Sequence, residues 1–199
     1  MALESTRTET ASHILAAAKE ALLEVGYASL STRAIAERAG VPLSQIHYHY
    51  GSKQNLVLAV LEGENARLIE RQEALFDSDF PLWKKWQLAC DYLEADLDSG
   101  YVRVLHEMIA AGWANADIAA AVTKQLGRWQ QLLTGVARRA ETKLGSLGPF
   151  TPEEIGVLAG IPFIGAEAYL LLGVSESAFP ARSALRKIGD IIRAMEGDG

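Results

Sequence analysis

An all-α fold of about nine helices is what this sequence predicts, divided into a short N-terminal three-helix part and a larger C-terminal helical part. Three observations carry that reading. Apolar residues recur at three- and four-residue spacing along nearly the whole chain of 199 residues. Glycine, proline and hydroxyl residues fall where those stripes begin and end. No stretch alternates apolar and polar residues as a half-buried strand would, and there is no internal repeat or low-complexity tract.

The elements follow in order. Thr10 is placed to cap a first helix whose stripe is Ile14, Leu15, Ala18, Leu22 and Val25, and Gly26 should end it. Ser31 should cap a second, Thr32 to Ala39, with Ile35 and Ala39 inward and Gly40 at its end. A third helix follows Val41-Pro42 and stops at Gly51. Ser52 then caps a long fourth helix running through Leu56 and Val60 toward Phe76. Pro81 falls in the first turn of a helix carrying Trp83, Trp86, Cys90, Leu93 and Leu97, spaced 3, 4, 3 and 4. Tyr101, Leu105, Met108 and Gly112 mark a sixth. Ile118, Val122, Leu126, Trp129, Leu133 and Val136 stripe a seventh. After the turn GSLGPF at 145–150, Thr151-Pro-Glu-Glu154 has the form of a capping box with proline at the first helical position. That helix should run to about Gly173, kinked or interrupted at Pro162. A last helix spans Ala181 to Met195.

Composition narrows the function. Hydrophobic residues make up 49% of the chain, enough for a sizeable core. The N-terminal stretch MALESTRTETASH lacks the apolar centre of a signal peptide. Apolar runs are broken by charges or glycines before about 18 residues, so no membrane partner is expected. A single cysteine, Cys90, excludes an internal disulfide framework and fits a reducing, cytoplasmic setting. The net charge is −6, which by itself argues against a nucleic-acid partner. Its distribution alters that. Residues 1–54 hold five basic and five acidic groups, and the whole acidic excess lies in the remainder. The two parts should have different partners, with a boundary between 1–54 and 55–199.

Residues 40–53, GVPLSQIHYHYGSK, are the densest polar and aromatic stretch. Two short helices joined by a glycine-containing turn read as a helix-turn-helix. On the second of them, Leu43, Ile46 and Tyr50 share one side, while Ser44, Gln45 and Tyr48 lie opposite. His47 and His49 are about 160° apart down the axis. Two histidine ligands on one helix need i,i+4 spacing, and no cysteine or aspartate completes a set, so no metal is expected. No acid stands where it would orient His47 beside Ser44, so nucleophilic catalysis lacks a partner. Two readings remain: a solvated helix surface, or a surface that reads base edges and phosphates in a DNA major groove. The absence of Lys and Glu from the helix favours the reader.

The continuous stretch ILAAAKEALLEVGYASLSTRAIAERAGVPLSQIHYHYGSKQNLVLAVLE, residues 14–62, resembles the TetR family of bacterial transcriptional regulators. It has a helix ending in Gly-Tyr, a capped second helix with R-x-I-A-x-x-A-G-V, an aromatic-rich third helix, and Ser-Lys before a long fourth. The resemblance implies a dimeric repressor, less often an activator. Its N-terminal helix-turn-helix would bind a palindromic double-stranded DNA operator, and its C-terminal domain a small effector. It places Arg33, Leu43, Ser44, Gln45 and His47 at or near bases, and Ser31, Thr32, Tyr48, His49 and Lys53 at phosphates. The chemistry agrees: Arg33 suits guanine O6 and N7, Gln45 suits adenine, and Lys53 sits at a helix N-terminus that favours an anion. The chain departs from the family in having His47 where a tyrosine is common, and Tyr50 where phenylalanine is.

Four tryptophans, Trp83, Trp86, Trp113 and Trp129, fall within residues 80–130. With Cys90, His106, Met108 and Phe163 they are candidates for contact with a hydrophobic or aromatic effector of unknown identity. Ordinary core packing is the alternative for each. His106 and Glu107 could enter a cavity or face water. The small residues Gly156, Gly160, Gly165 and Ala166 form a surface suited to close helix approach. Since TetR-like dimers generally pair their last two long helices, a homodimer through about 152–173 and 181–195 is expected, with packing on helix 115–144 of the same chain as the alternative. The expected function is a ligand-responsive transcriptional regulator, most simply a repressor, with no catalytic residue, metal or cofactor. A small helical enzyme using His106 and Glu107, or a DNA-independent binding module, is the competing reading.

Overall fold

The structure is a computed structural model that describes residues 2–197. Among these residues there are nine helices and no strand: α1 (Ala2–Ser29), α2 (Thr32–Ala39), α3 (Leu43–Tyr50), α4 (Lys53–Asp77), α5 (Leu82–Asp98), α6 (Tyr101–Gly112), α7 (Ala116–Leu144), α8 (Pro152–Leu171) and α9 (Ala181–Glu196). They form two compact units. One takes the chain up to Ala66 together with Arg103–Thr123, and the other takes Arg67–Val102 together with the chain from Lys124. The chain passes between them within α4, α6 and α7.

In the first unit α1 begins well before Thr10. The segment from Ala2 contains no glycine or proline to stop a helix, and the Ser12 hydroxyl donates back to the Thr8 carbonyl at 3.0 Å, a bond of helix interiors rather than of caps. Ile14, Ala18 and Leu22 of the expected stripe are fully buried, but Val25 is exposed. Beyond Leu22 the apolar period stops because regular geometry breaks at Gly26, whose φ of 72° and ψ of 165° lie outside the helical range. Ser31 caps α2, its Oγ accepting from Ala34 N at 3.2 Å, and Gly40 ends it in the left-handed region. Gly51 ends α3, and Ser52 Oγ accepts from Asn55 N to start α4. Arg38 of α2 pairs with Glu24 and, at 3.8 Å, with Glu20, holding α2 against α1.

In the second unit α9 lies along α5. Gly189 makes that approach possible, since a Cβ there would stand 2.8 Å from Gln87 Nε2 and 3.2 Å from Trp86 Cδ1. Trp86 Nε1 donates to the Leu185 carbonyl at 2.6 Å, Arg182 holds both oxygens of Glu94 at 2.7 and 3.1 Å, and Arg186 meets Asp91 at 2.7 Å. The capping box at Thr151 and Glu154 forms as expected. Pro162 does not interrupt α8, which is helical throughout. The carbonyl left without a donor is that of Leu158, on an exposed residue where water can reach it.

Two expectations about α8 are corrected. Gly156 and Gly160 face α7 of the same chain: a Cβ on Gly156 would meet Thr134 N at 3.0 Å, and one on Gly160 would meet Trp129 Cζ3 at 3.0 Å. Their small size therefore serves intrachain packing. In addition, Pro152–Leu171 is long and apolar enough to cross a membrane, with a mean hydropathy of 1.5 over its best window, of which 28% is buried. Glycines interrupt its apolar run in sequence without making it polar. Its uncovered residues include Val157, Leu158 and Ile161 (61% exposed), and Leu172 just past its end is 78% exposed. Ile191 and Met195 of α9 are exposed as well.

The glycine contacts give a test. In Gly156→Ala the added methyl group meets backbone on α7, so overpacking of about 1–3 kcal/mol outweighs the helix-propensity gain of about 1 kcal/mol. Gly127→Ala, where nothing lies within 4 Å of the new Cβ, should instead stabilise by up to about 1 kcal/mol. Urea denaturation of both variants should show opposite signs. Equal signs would contradict the α7–α8 contact.

Candidate functional site

The second short helix of the N-terminal unit has one anchored side. Ile46 is fully buried, and Tyr50 reaches α1, where its hydroxyl donates to the Ala11 carbonyl at 2.8 Å. Burial pushes the Tyr50 phenol above its ordinary range, so it stays a donor. Ser44, His47 and Tyr48 are exposed, Gln45 and His49 half-buried. Leu43, expected on the inward side with Ile46 and Tyr50, is exposed. Helical side chains lean over the turn preceding their own Cα, and Leu43, the first residue of α3, has no such turn to cover.

The outward groups are partly pre-positioned. His47 Nδ1 lies 3.1 Å from the Gly51 carbonyl oxygen, which can only accept, so Nδ1 carries the proton and the neutral ring offers Nε2 as an acceptor. The Arg7 guanidinium carbon stands 5.4 Å from the centre of the Tyr48 ring, and Tyr48 meets His49 edge-on at 5.0 Å. On α2, Arg33 is exposed and Thr32 half-buried, while the Ser31 hydroxyl is engaged as the helix cap. Lys53 is engaged too: its Nζ donates to the Tyr27 carbonyl at 3.0 Å and lies 4.6 Å from the centre of the Tyr27 ring.

Glu107 enters neither a cavity nor open water. Its carboxylate accepts from Tyr27 N at 3.0 Å, packs against Gly26, and has Arg103 at 3.9 Å. The break at Gly26 frees the Tyr27 N–H and C=O from the helical ladder. Glu107 takes the first and Lys53 the second.

In the second unit a cavity of about 220 Å³ lies among α4, α5, α7, α8 and α9. Three of the eight residues considered for effector contact line it: Trp86, Trp129 and Phe163. Phe163 stands 5.2 Å from Trp86 and 6.4 Å from Trp129, ring centre to ring centre. The other five do not line it. Trp83 lies under the Arg193 guanidinium at 5.0 Å, and Cys90 is buried with its thiol pushed up to about 11 by burial, which makes it unreactive. His106, Met108 and Trp113 belong to the first unit. Met108 is fully buried there and Trp113 is 84% exposed, just past the end of α6.

The polar lining was not anticipated. It consists of Gln72, Lys85 and Glu196. Lys85 Nζ donates to the Phe76 carbonyl at 2.6 Å, and burial, reinforced by Arg139, pulls its pKa down against the nearby Asp77, Asp79 and Glu196. Burial raises the Glu196 carboxyl, but the backbone N–H groups of Trp83 and Leu82 and the Lys143 ammonium together outweigh it and hold it below the usual range. The sequence does carry a signal for these residues. Gln72 follows Ile69 and precedes Phe76, Lys85 lies between Leu82 and Ala89, and Glu196 follows Ile192, each a polar residue set into an apolar stripe at helical spacing. Among the described residues no group of three or more His, Cys, Asp or Glu side chains could hold a metal ion.

An all-helical protein with a capped helix-turn-helix anchored at Ile46 and a second helical unit belongs to the class of helix-turn-helix DNA-binding regulators. Residues 14–60 match the family described as bacterial regulatory proteins, tetR family. None of the curated proteins matches it. Solved structures share its fold over nearly their full length. The regulatory protein TetR from Rhodobacter sphaeroides superposes with a TM-score of 0.75 at 21% identity, covering 90% of this chain and 96% of that one. The reduced form of E. coli NemR gives 0.72 at 17%, covering 92% and 96%. The Bacillus subtilis transcriptional regulator FadR, in complex with stearoyl-CoA, gives 0.76 at 13%, covering 91% and 96%.

Removing the Glu107 carboxylate should loosen the frame that holds these helices. Glu107→Ala is expected to lower unfolding stability by about 1–3 kcal/mol, while Glu107→Gln, which retains an acceptor for Tyr27 N–H, should lose less. Identical chemical denaturation midpoints for Glu107→Ala and the parent would show that the Tyr27 N–H does not depend on Glu107.

Proposed function

We propose that this chain is a ligand-responsive transcriptional repressor that binds a palindromic operator as a homodimer. Residues 1–54 act as the DNA-binding domain and 55–199 as the effector-binding and dimerisation domain, in the cytoplasm. The observation that carries this is the outward face of α3, which offers Ser44, Gln45, His47 and Tyr48 on a helix fixed from behind by Ile46 and Tyr50. Arg33, Leu43, Ser44, Gln45 and His47 face bases. The Nε2 of His47 accepts from an exocyclic amine of adenine or cytosine. Ser31, Thr32, Tyr48, His49 and Lys53 serve the backbone, where Arg7 beside Tyr48 adds a positive charge. Because Lys53 already holds the Tyr27 carbonyl, its phosphate contact is shared with a structural one.

The exposed apolar residues of α8 and α9, among them Leu158, Ile161, Leu172, Ile191 and Met195, are the surface a second copy covers. That accounts for the hydropathy of α8 without a membrane. The cavity beside Trp86, Trp129 and Phe163 takes a small hydrophobic or aromatic effector. The B. subtilis FadR structure holds stearoyl-CoA, a ligand with a long apolar acyl chain, on this fold. Helix α4 carries Lys53 at its start and Gln72 and Phe76 at the cavity, so it is the element through which a ligand would alter DNA affinity. It does so only if the ligand binds the DNA-free and DNA-bound arrangements unequally.

Selection from a random DNA pool tests the reading. The parent protein should enrich a two-fold symmetric motif that an Arg33→Ala, His47→Ala double variant loses, at a cost of about 1–3 kcal/mol per base contact removed. Light scattering should report a dimer that Ile161→Asp converts to monomer. Folded protein that enriches no motif would end the regulator reading, and a monomeric parent would end the palindromic-operator model.

A further inference from the structure

Asn115 stands at the corner between α6 and α7, and both ends of its side-chain amide are in use. Its Oδ1 accepts from Asp117 N at 3.0 Å and from Ile118 N at 3.1 Å, which caps α7. Those two N–H groups can only donate, so the amide oxygen faces α7 and the amine faces away from it. The amine donates to Gln54 Oε1 at 3.1 Å, across 61 residues of sequence. Gln54 is the second residue of α4, next to Lys53. The corner is tight: a Cβ on Gly112, the last residue of α6, would stand 3.2 Å from the Ala119 Cα. The start of α7 is thus braced against the end of α6, and Glu107 of α6 holds the Tyr27 N–H. Ser31, Ser52 and Thr151 cap their helices through a hydroxyl. An amide does the same and adds a donor, and here that donor is spent on α4.

We propose that Asn115 is a positioning residue for DNA binding, holding the first turn of α4 at the angle from which Lys53 meets the operator backbone. This rests on the proposed phosphate role of Lys53. Two neighbouring tethers supply the geometry. Lys53 is tied to the Tyr27 carbonyl beyond the break in α1, and Gln54 is tied to Asn115. Successive helical residues project about 100° apart, so bonds from two adjacent residues fix the roll of a helix about its axis, which one bond alone leaves free. Roll matters because the Lys53 side chain and the first N–H groups of α4 leave the helix in fixed directions.

Equilibrium binding to the duplex that the parent chain enriches, measured over a salt series, tests this. Asn115→Ser keeps a capping oxygen and removes the amine. It should bind that duplex about tenfold more weakly, one bond being lost in each subunit of the dimer. Its affinity should also depend less steeply on salt, because phosphate contacts are lost. Gln54→Ala leaves the α7 cap in place and should show the same two changes. The double variant should bind no more weakly than either single one, since both remove one bond. A residue that only stabilised α7 would lower the unfolding midpoint, leave the salt slope as it is, and show no coupling to Gln54. If the serine variant does not fold, Gln54→Ala alone decides by the salt slope. Parent-like affinity and slope in folded Asn115→Ser or Gln54→Ala, or additive losses in the double variant, would overturn the inference. An enriched duplex bound equally by parent and variants ends this inference alone, whereas a folded parent that enriches no duplex ends the regulator reading and this inference with it.

Discussion

The N-terminal unit depends on what happens to one peptide unit after the break at Gly26. A glycine with φ of 72° ends the regular ladder of α1 and strands the backbone of Tyr27. Glu107, far along the chain in α6, receives the Tyr27 N–H, and Lys53, the first residue of α4, donates to its carbonyl. Three segments distant in sequence are thereby joined at one residue. Both bonds involve a charged partner, the stronger class of hydrogen bond, and both are partly shielded from water. The position of α3 follows from this frame, since α2 is clamped to α1 by Arg38 and α3 is pinned to α1 through Tyr50.

The second unit is organised by helix approach. Glycines at 156, 160 and 189 let α8 settle on α7 and α9 on α5 with neighbouring atoms 2.7–3.0 Å from where a Cβ would stand. The tryptophans then occupy the space between helices. Trp86 spends its N–H on the α9 backbone, and Trp129 does not find a protein partner. Close contact on one side of these helices and open volume on another are two results of the same packing: small residues draw backbones together locally, and the large rings beside them keep neighbouring segments apart.

Much of this was legible from local punctuation. Ser31, Gly40, Gly51 and the Thr151–Glu154 box each act within a few residues, and each marks its helix end in the structure as its chemistry requires. Thr10 misleads because nothing between Ala2 and Thr10 stops a helix, and inside one a hydroxyl can bond backward, as that of Ser12 does to the Thr8 carbonyl. Ile46 inward and Ser44 and Tyr48 outward follow from the helical period alone. What the period does not supply is which helices meet. The glycines of α8 suit another chain or their own, and α7 takes Gly156 and Gly160. Trp113 looks like its three neighbours in composition, yet it stands beyond the end of α6 and is exposed, whereas Trp86 and Trp129 fall inside continuous helices. Gln72, Lys85 and Glu196 are polar interruptions of apolar stripes, visible in sequence, but their convergence on one cavity depends on three helices from separate parts of the chain.

The bond from Trp86 to Leu185 spans 99 residues, as does that from Gln87 to Arg186. During synthesis, α5 emerges long before its partner helix exists. Its seat for Gly189, the Trp86 indole and the acidic groups Asp91 and Glu94 remain uncovered until α9 is made. The first unit, by contrast, has all its segments once the chain has grown past Thr123. Translation thus imposes an order in which the helix-turn-helix can be complete while the ligand-cavity unit is still open. Closing α9 over α5 then carries the loop-closure cost of a contact 99 residues apart.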